Sequence, residues 1–490
     1  MRHLKAVSFY FKASRKLHFN GFMKTKPNFL KAILSLFAAI ICSSSALAKA
    51  PIADLSLKEI SYKTIDYALK TQIQTQNNPF YLSGEFPTKI QSTLVPALIG
   101  VGEAFSKNDE ASAFTTASVL NLLSQIYIDH PEFKNESPLN LIPQSLQNGV
   151  STFDKYKSTG TYNFYPARVI NGQTVRRPIN MRLFPLWHGF TNIPNDADTT
   201  SVVLTTLLFN SKINKVPFTI PQQTYDIFSQ FSDVNRNPMF YNYFAGRKNT
   251  GAFMTWLLDE KSPNMPRFYF AQTAKGERIP FIKNDVDCVV NANILRLLAL
   301  GNTTTAGHAK SCQMLNDMID KNEHASCGVY YPNTLNLSFV LGRAKKAGET
   351  CVTEKSEQKI IELILKMQNA DGSWLNEKNV WQDPIITTAF ALDALLHFSK
   401  PSDHKTYIAL MYGVHFLLKN MKQKDTAIHW NAERFFTATA IARSLIMWQS
   451  AAFTNSVIAS VLLKMHVAFP QYTARNYLTL KFDENVGGQK

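Results

Sequence analysis

Two pairs of aspartates stand at the starts of apolar segments, with a spacing suited to acid–base chemistry. Asp196 and Asp198 lie in Asn-Asp-Ala-Asp-Thr-Thr-Ser, and Asp285 and Asp287 lie in Asn-Asp-Val-Asp-Cys, 89 residues further on. A carboxylic acid in a dry cavity keeps its proton, because desolvation and a neighbouring carboxylate both disfavour the ionised form. These four aspartates are therefore our candidate catalytic residues.

The same aspartates also have a purely structural interpretation. Asp is a preferred N-cap residue, and it stabilises the helix that follows by about 1 kcal/mol without any catalytic role. Asp383 precedes Pro384, which suits the first position of a helix. We expect Asp383 to be a cap alone, whereas for Asp198 and Asp287 both interpretations remain open.

The spacing of these helix starts indicates an internal repeat. Asp287 follows Asp198 by 89 residues and Asp383 follows Asp287 by 96, or two units of about 45 each. Apolar helices are then expected at the midpoints, and amphipathic helices between them. An inner and an outer helical layer require this alternation, since only outer helices have a wet face. The N-termini of parallel inner helices would open onto one mouth, where the aspartates converge. The predicted apolar helices span 241–258, 334–346 and 431–445, the amphipathic ones 221–231, 308–321, 355–367, 403–420 and 451–465, and the N-terminal ones 57–74, 91–105 and 109–127.

Two long irregular segments, 148–193 and 260–284, end at the Asn-Asp-x-Asp starts. Loops of this length inside a compact domain are usually functional. They contain the short aromatic stretches 162–165 and 268–270, which we expect to form loops or hairpins. Aromatic faces stabilise cations, and arginines can share converging carboxylates, although buried aromatic residues are more often plain core. The candidate substrate-binding residues in or beside these segments are Tyr165, Arg177, Trp187, Trp256 and Arg278, with Arg176 and His188 as further polar candidates.

A motif near the C-terminal third resembles a known repeat. Residues 368–374 read Gln-Asn-Ala-Asp-Gly-Ser-Trp, similar to the Q-x-x-x-G-x-W repeat of squalene-hopene and oxidosqualene cyclases, and 387–395 resembles the inner helix that follows it. The resemblance implies the terpenoid cyclase and protein prenyltransferase superfamily. Its fold is an all-α α/α toroid of about six helical hairpins in inner and outer layers, here with extra N-terminal helices. We expect N-terminal helices in 49–150 to be part of the toroid, and the toroid proper to cover 151–480.

A second resemblance concerns chemistry. Residues 196–201, Asp-Ala-Asp-Thr-Thr-Ser, are similar to the Asp-x-Asp-Asp-Thr-Ala motif of class II terpene cyclases, which start cyclisation by protonating an alkene or epoxide. The resemblance implies that Asp198 is the proton donor and Asp196 a partner that tunes it. The third acid of the motif is absent, and Asp287 is likewise followed by Cys288. The implied activity is an acid-initiated cyclase or isomerase acting on a hydrophobic isoprenoid-type substrate.

Two other functions remain open. A glycan-active hydrolase or lyase could use two facing carboxylates as acid and base, with aromatic loops stacking on sugars. A non-catalytic ligand-binding toroid is the third reading. The partner is then a small hydrophobic or glycan ligand; no cofactor or metal is expected, because no loop has the regular ligand spacing of a calcium site. The sequence does not predict the oligomeric state.

Residues 1–48 have the features of a leader and Sec signal peptide. Lys24 and Lys26 precede an apolar run at 29–41, and a Ser-Ala-Leu-Ala ending predicts cleavage after Ala48, with Met23 as an alternative start. We therefore expect a periplasmic or secreted protein. Export favours a glycan over a cytoplasmic prenyl diphosphate as substrate.

Removing the leader lowers the net charge. It contains eight Lys and Arg residues and no acid, so the 52 bases fall to 52 − 8 = 44 against 36 acids, and +16 becomes +8. No clustered basic patch remains, and nucleic-acid binding is not expected. The excess permits peripheral contact with an anionic membrane surface.

Four cysteines remain after cleavage: Cys288, Cys312, Cys327 and Cys351. An even number in an oxidising compartment predicts two disulfides, with three possible pairings, whereas buried free thiols are the alternative.

Overall fold

The computed structural model of the chain describes residues 52–75, 78–92, 107–170, 172–180, 192–236, 239, 241–242, 245–258, 284–324, 327–375, 383–438 and 446–480. The predicted leader and the aromatic stretch at 268–270 lie outside them. Thirteen α-helices occur in the described residues: α1 (Leu57–Lys70), α2 (Ala113–Asp129), α3 (Ile142–Val150), α4 (Ala197–Asn214), α5 (Gln222–Gln230), α6 (Cys288–Leu300), α7 (His308–Asp320), α8 (Asn336–Lys346), α9 (Glu354–Met367), α10 (Pro384–Phe398), α11 (His404–Lys419), α12 (Ala451–Ala468) and α13 (Ala474–Leu478). Short 3-10 helices are Ile52–Asp54, Pro131–Phe133, Leu139–Leu141 and Phe153–Lys155.

The even-numbered helices α2 to α12 form a closed inner ring. Each packs against the next in chain order, and α12 packs back against α2. The odd-numbered helices lie outside this ring: α1 packs on α12, α3 on α2 and α4, α7 on α6, and α9 and α11 on α10. The closed ring of six inner helices and the helices packed outside it confirm the predicted α/α toroid.

The distribution of apolar residues explains which helix occupies which layer. All residues of α6 from Cys288 to Leu298 are buried, because neighbouring helices cover it on every side. The outer helix α9 buries only Ser356, Ile360 and Ile364, a single stripe with a spacing of four. A helix with no solvent-exposed face is stable only in the inner layer, so the distribution of apolar residues in α6 and α9 indicates the layer of each.

Short strands lie in the segments that lead from an outer helix to the next inner helix. The strands are β1 (Lys89–Ser92), β2 (Lys107–Asp109), β3 (Lys157–Ser158), β4 (Thr161–Tyr162), β5 (Arg168–Ile170), β6 (Gln173–Val175), β7 (Lys422–Lys424), β8 (Ala427–His429), β9 (Glu433–Thr437) and β10 (Ile446–Ser450). The order β2-β1-β10-β9 makes one antiparallel sheet, in which Ile90 pairs with Trp448, and β3-β4, β5-β6 and β7-β8 are hairpins. The β3-β4 hairpin confirms the loop or hairpin expected at 162–165.

Hydrogen bonds show that the inner helices begin at the same end. The backbone N–H of Ala113, at the start of α2, donates to the Phe164 carbonyl. Thr200 in the first turn of α4 accepts from the N–H of Tyr162. The strand β9 joins this mouth through Thr437, which donates to the Tyr330 carbonyl in the segment before α8. The common mouth expected for the inner helices is therefore present.

The Gln-Gly-Trp motif fastens α9 to its neighbours. Gln368 Nε2 donates to the carbonyl of Ala409 in α11 at 2.9 Å. The fully buried Trp374 donates from its indole to the Ile364 carbonyl at 2.6 Å. Gly372 has a φ of +86°, and a Cβ there would lie 2.2 Å from the Tyr412 carbonyl oxygen. Gln368, Gly372 and Trp374 therefore each make a different contact: a hydrogen bond to α11, a close backbone approach, and a buried indole hydrogen bond.

Two helix predictions are wrong. Residues 245–258 form turns with isolated bridges at Phe253 and Trp256, because Gly246, Gly251 and the polar residues between them disfavour a helix. As a result α4 and α6 contact each other directly. The predicted helix at 431–445 contains β9, whose aromatic and Thr residues suit a strand, while 439–445 lie outside the described residues.

The predicted helix at 91–105 begins in β1, with 93–106 outside the described residues. The segment 451–465 was predicted as amphipathic and outer, but α12 belongs to the inner ring. It is long and apolar enough to cross a membrane, yet 72% of it is buried inside the protein, as expected for a core helix. The helices α3 and α13 were not predicted. The remaining predicted helices are confirmed, as α1, α2, α5, α7, α8, α9 and α11.

Gly372→Ala tests the close approach at the repeat motif. Alanine there must tolerate a positive φ and also displace the Tyr412 carbonyl, so we expect a larger loss of unfolding free energy than in the control Gly348→Ala. Gly348 has a φ of +102° but nothing within 4 Å of its Cβ position, and its variant should lose only the conformational term, about 1–3 kcal/mol. Urea denaturation measures both; equal losses would contradict the proposed clash.

Candidate functional site

Asp198 lies at the centre of the mouth, on the first turn of α4. Its side chain is 3% exposed. Oδ1 accepts a hydrogen bond from Asn293 Nδ2 of α6 at 2.7 Å, and Oδ2 is hydrogen-bonded to the Tyr331 hydroxyl. The carboxyl group therefore does not cap its helix. It joins α4 to α6 and to the segment before α8.

The environment of Asp198 raises the pKa of its carboxyl group. Burial raises the pKa of Asp198 well above its usual range. The hydrogen bonds from Tyr331 and Asn293 lower this pKa in part, and the nearby charge of Asp196 raises it. Because desolvation is the largest of these effects, the surroundings of Asp198 favour its neutral form.

Asp196 is the N-cap of α4. Its Oδ1 accepts from the Thr199 N–H at 2.6 Å, and its Oδ2 is buried without a hydrogen-bond partner. Burial raises the pKa of Asp196 to about 7. The first pair thus divides its tasks, with Asp196 capping the helix and Asp198 facing the ring.

Asp287 is an anchor for the neighbouring segment. Oδ1 caps α6 by accepting from the N–H groups of Val289 and Val290, and Oδ2 accepts from those of Val329 and Tyr330. Four backbone donors use its lone pairs, although burial still raises its pKa. This geometry fits a structural role that holds Tyr331 in place.

Asp285 binds two tyrosines. Its Oδ2 accepts from the hydroxyls of Tyr241 at 2.8 Å and Tyr330 at 2.5 Å. Burial raises the pKa of Asp285 to about 6.

Asp383, expected to be a cap alone, makes no side-chain cap bond and instead pairs with the Arg434 guanidinium. That expectation is wrong, because Arg434 offers a charged bidentate partner.

Two cysteine pairs lie at disulfide distance in this region. Cys288 pairs with Cys327, and Cys312 pairs with Cys351, with Cα–Cα distances of 5.7 and 5.4 Å. The first pair links the start of α6 to the residues just before Val329. His308, Cys312 and Glu349 have the spacing of metal ligands, but the Cys312 sulfur is already bonded to Cys351. Only two donors remain there.

Aromatic rings surround the mouth beside Asp198. Phe436 lies 5.5 Å from Tyr331, 5.9 Å from Tyr330 and 5.3 Å from both Phe114 and Phe164, measured between ring centroids. Rings at these separations present both faces and edges to the space between them. The wall that results is apolar but able to stabilise a cation.

A cavity lies inside the ring below this wall. Its volume is about 50 Å³, and it is partly open to solvent. Asn293 and Tyr331, the two partners of Asp198, line it. The other lining residues are Phe114, Ser118, Asn121, Leu122, Val202, Arg296, Asn336, Phe339, Val340, Arg343, Phe435 and Phe453.

The predicted substrate-binding residues are dispersed. Trp256 is buried 5.8 Å from the Tyr330 ring, and Tyr165 is buried against Phe164 at 5.0 Å; neither lines the cavity. Arg177 lies near Glu110, away from the aspartates, and Arg176 donates to the carbonyls of Tyr156 and Lys157. The positions of Trp187, His188 and Arg278 lie outside the described residues.

The sequence reasoning missed the polar residues of the cavity. Asn293 and Arg296 lie on α6, a helix that is otherwise almost wholly apolar. A polar side chain on such a helix has to face a polar partner or a cavity. That signal was available; the partner Tyr331 gave none, because it comes from a loop 133 residues from Asp198.

Solved α/α toroids share this fold. The apo type II terpene cyclase MstE from Scytonema matches with a TM-score of 0.51 at 13% identity, over 84% of this chain and 99% of that chain. An ent-copalyl diphosphate synthase from Streptomyces platensis gives 0.41 at 14%, over 76% and 53%, and a cellobiose 2-epimerase from Spirochaeta thermophila 0.47 at 10%, over 91% and 99%. No protein-family model and no curated protein matches the chain. The protein is therefore an α/α toroid, with terpene cyclases among its structural neighbours.

The raised pKa of Asp196 makes a prediction about stability. The folded protein holds this proton up to about pH 7, whereas the unfolded chain releases it near 3.8. The folded state therefore binds more protons between these values, and its stability falls as the pH rises through that window. Asp196→Asn, which keeps a capping oxygen, should flatten this fall and unfold at a higher temperature at pH 8.

Asp403→Asn is the matched control for this measurement. Asp403 caps α11 by accepting from the Thr406 N–H, but it is exposed. Its variant should leave the pH dependence of the melting temperature as in the parent protein. A parallel shift in both variants would mean that burial of Asp196 is not the cause.

Replacing each cysteine pair in turn tests whether the Cys288–Cys327 pair holds the segment before Tyr331 in place or only stabilises the whole fold. Both close loops with a sequence separation of 39, so replacing either pair by alanine should lower stability by about 4 kcal/mol. Only the Cys288→Ala/Cys327→Ala variant should accelerate hydrogen exchange of the Val329 and Tyr330 amides, since that pair holds their segment against Asp287. Equal exchange in both double variants would contradict the assigned anchor.

Proposed function

We propose that the protein is an acid-initiated cyclase or isomerase that protonates a carbon–carbon double bond of a hydrophobic isoprenoid-type substrate. The observation that carries this proposal is the buried carboxyl group of Asp198, hydrogen-bonded to Tyr331, which lines an aromatic-walled cavity. Protonating an alkene requires an acid that is kept from water, together with walls that tolerate a carbocation. The toroid fold shared with a type II terpene cyclase is consistent with it.

Tyr331 is the route from the acid to the cavity. Asp198 is not among the residues that line the cavity, whereas Tyr331, its hydrogen-bond partner, is. For this step the carboxyl O–H of the neutral acid donates to the Tyr331 oxygen, the reverse of the hydrogen bond in the structure, and the phenol O–H turns to the cavity and adds its proton to the alkene. The products of this step are a carbocation and the Asp198 carboxylate, which Asn293 and Tyr331 hydrogen-bond.

The remaining steps balance without a co-reactant. Attack by a second double bond on the cation forms a ring, and loss of a proton from carbon restores an alkene, so that substrate and product are isomers. The lining rings Phe114, Phe435 and Phe453 offer π faces to the cation. The proton lost from carbon returns through the Tyr331 hydroxyl to the Asp198 carboxylate, whose neutral form burial favours, and the acid is regenerated.

A glycan-active enzyme finds less support in the described residues. That chemistry uses two carboxyl groups facing the substrate, and no carboxylate is among the described residues that line the cavity. The tryptophans within the described ranges, Trp256, Trp374, Trp430 and Trp448, are all buried and offer no exposed stacking surface. A glycan, or binding without turnover, remains an outcome of the test.

The cellular location is part of the proposal. Residues 1–48 have the composition of an export signal, and we infer that the protein works in the periplasm or outside the cell. The net charge of +8 after cleavage supports peripheral contact with an anionic membrane, where a hydrophobic substrate would be found.

Native mass spectrometry of the exported protein tests the substrate class. We expect a copurified apolar lipid, which on incubation in D2O converts to an isomer carrying one added deuterium on carbon. A copurified oligosaccharide that is shortened or cleaved would refute the isoprenoid assignment. A ligand that returns unchanged and without deuterium would identify a binding protein.

Asp198→Asn should lower turnover at least about 100-fold, because an amide cannot supply the proton. It should fold normally, since an amide replaces a neutral acid of the same shape and Tyr331 can accept from its NH2 group. The control Asp403→Asn should keep full activity. Unchanged turnover with early melting of Asp198→Asn would show a structural residue.

Tyr331→Phe tests the relay. Removing the hydroxyl interrupts the path from Asp198, so the rate constant kcat should fall while KM changes little. Tyr330→Phe is the matched control, since its neighbouring hydroxyl binds Asp285 instead. A loss of kcat of equal size in both variants would mean that the relay is not specific to Tyr331.

A further inference from the structure

Two buried guanidinium groups line the same cavity. Arg296 on α6 is 6% exposed and Arg343 on α8 is 5% exposed. Nε and Nη2 of Arg296, and Nη1 of Arg343, are buried without a hydrogen-bond partner. Arg343 Nη2 reaches the Asn121 carbonyl only at 3.4 Å. Buried donors of this kind are rarely left unsatisfied.

The carboxylates of Asp393 and Asp129 raise the pKa of both arginines, but each of them pairs with a lysine. Asp393 pairs with Lys464 at 2.6 Å, and Asp129 lies 3.6 Å from Lys346. Within the described part of the chain, neither arginine forms a salt bridge. Aromatic rings give partial compensation, with Phe209 5.6 Å from the Arg296 guanidinium carbon and Phe339 5.4 Å from that of Arg343.

The two charges also oppose each other. Burial lowers the pKa of Arg296 well below its usual range, and the charge of Arg343 lowers it further. Guanidinium groups nevertheless stay protonated in proteins. Two like charges in a low-dielectric interior destabilise the fold unless an anion is shared between them.

Helix periodicity places these charges one level below the acid. Arg296 follows Asn293 by three residues, so it lies on the same face of α6 and about 4.5 Å further along the axis. On α8, Asn336, Phe339, Val340 and Arg343 form one face that lines the cavity. The cavity is therefore aromatic near Asp198 and cationic deeper in the ring.

We propose that Arg296 and Arg343 bind an anionic head group of the substrate, a carboxylate or a phosphate. This inference rests on the proposed function and narrows it to an acidic amphiphile, with its apolar chain against the aromatic wall. A guanidinium offers two parallel N–H donors that match either anion. An anion shared by both arginines would satisfy the partnerless donors and offset the like-charge repulsion.

Binding of matched probes tests the head-group site without turnover. Dodecanoate, dodecyl phosphate and dodecanol share one alkyl chain and can be titrated calorimetrically below their critical micelle concentrations. We expect the parent protein to bind at least one of the two anionic probes at least 10-fold tighter than dodecanol; which of them is tighter identifies the head group. Inorganic phosphate alone should bind weakly, because it lacks the chain.

The arginine variants locate that preference. In Arg296→Met/Arg343→Met the ratio of anionic to neutral affinity should fall to about one, while dodecanol binding stays within threefold. Arg475→Met is the control: Arg475 is 61% exposed in a salt bridge with Asp54 and should leave the ratio intact. A ratio near one in the parent protein, or one that survives in the double variant, would overturn the site.

Stability provides a second readout. Removing a buried charge without a counter-ion should leave the melting temperature of each single Met variant equal or higher. A lower melting temperature with an unchanged affinity ratio would show that the arginines are structural. If a Met variant does not fold, Arg296→Lys keeps the charge without the fork and should lower the ratio only in part; an unchanged ratio there contradicts the proposal.

Proton transfer from Asp198 and anion binding by the two arginines can be refuted independently of each other. Asp198→Asn should retain the anionic preference, because its change lies at the other level of the cavity. Loss of the preference in Arg296→Met with deuterium incorporation still present would support both sites. A preserved preference in a protein that incorporates no deuterium would leave the head-group site and refute proton transfer.

Discussion

The desolvation of a single carboxyl group is the constraint on which the rest of the structure depends. Burial by the ring of inner helices raises the pKa of Asp198, whereas its two hydrogen bonds favour the charged form. Every inner helix must therefore be apolar on nearly all sides, as α6 is. The outer layer follows from the same requirement, because helices of that kind are insoluble unless a second layer with one polar face covers them.

The other aspartates make this burial possible. Asp287 uses four backbone N–H groups to tie the start of α6 to the segment that carries Tyr331, and the Cys288–Cys327 pair reinforces the same junction. Asp285 adds the hydroxyl of Tyr330. Tyr331 is thereby held over Asp198 by a segment with no regular secondary structure. Rigid placement of that hydroxyl is what distinguishes a usable acid from a merely buried one.

The sequence predicted the toroid and the four aspartates, and for clear physical reasons. Capping residues, apolar periodicity and the Gln-Gly-Trp motif are local signals, and they located helices such as α8 and α10 correctly. The helix predicted at 241–258 failed because a regular repeat was assumed where Gly246 and Gly251 open a loop. Tyr331, Asn293 and the two arginines were missed, since their roles arise from residues that meet only after the ring closes. Asn293 reaches Asp198 across 95 positions of chain.

The absence of a salt bridge to Arg296 and Arg343 points to a ligand site, because other residues at these positions would have left no uncompensated charge. Another buried charge in the ring has a partner within the protein. Asp393 forms a salt bridge with Lys464, which holds the pKa of Asp393 at about 2 despite its burial. Asp129 on α2 and Asp393 on α10 raise the pKa of Arg296 without forming a salt bridge to it, and an apolar residue would have packed there with no charge to compensate. Two cations kept together beside a cavity, without such a partner, fit a site whose counter-charge arrives with the ligand. The same reasoning separates the two levels of the cavity. An anion bound next to Asp198 would disfavour ionisation of that acid further. An anion bound one helical turn deeper is instead neutralised by the charges of the two arginines and has little effect on the Asp198 proton.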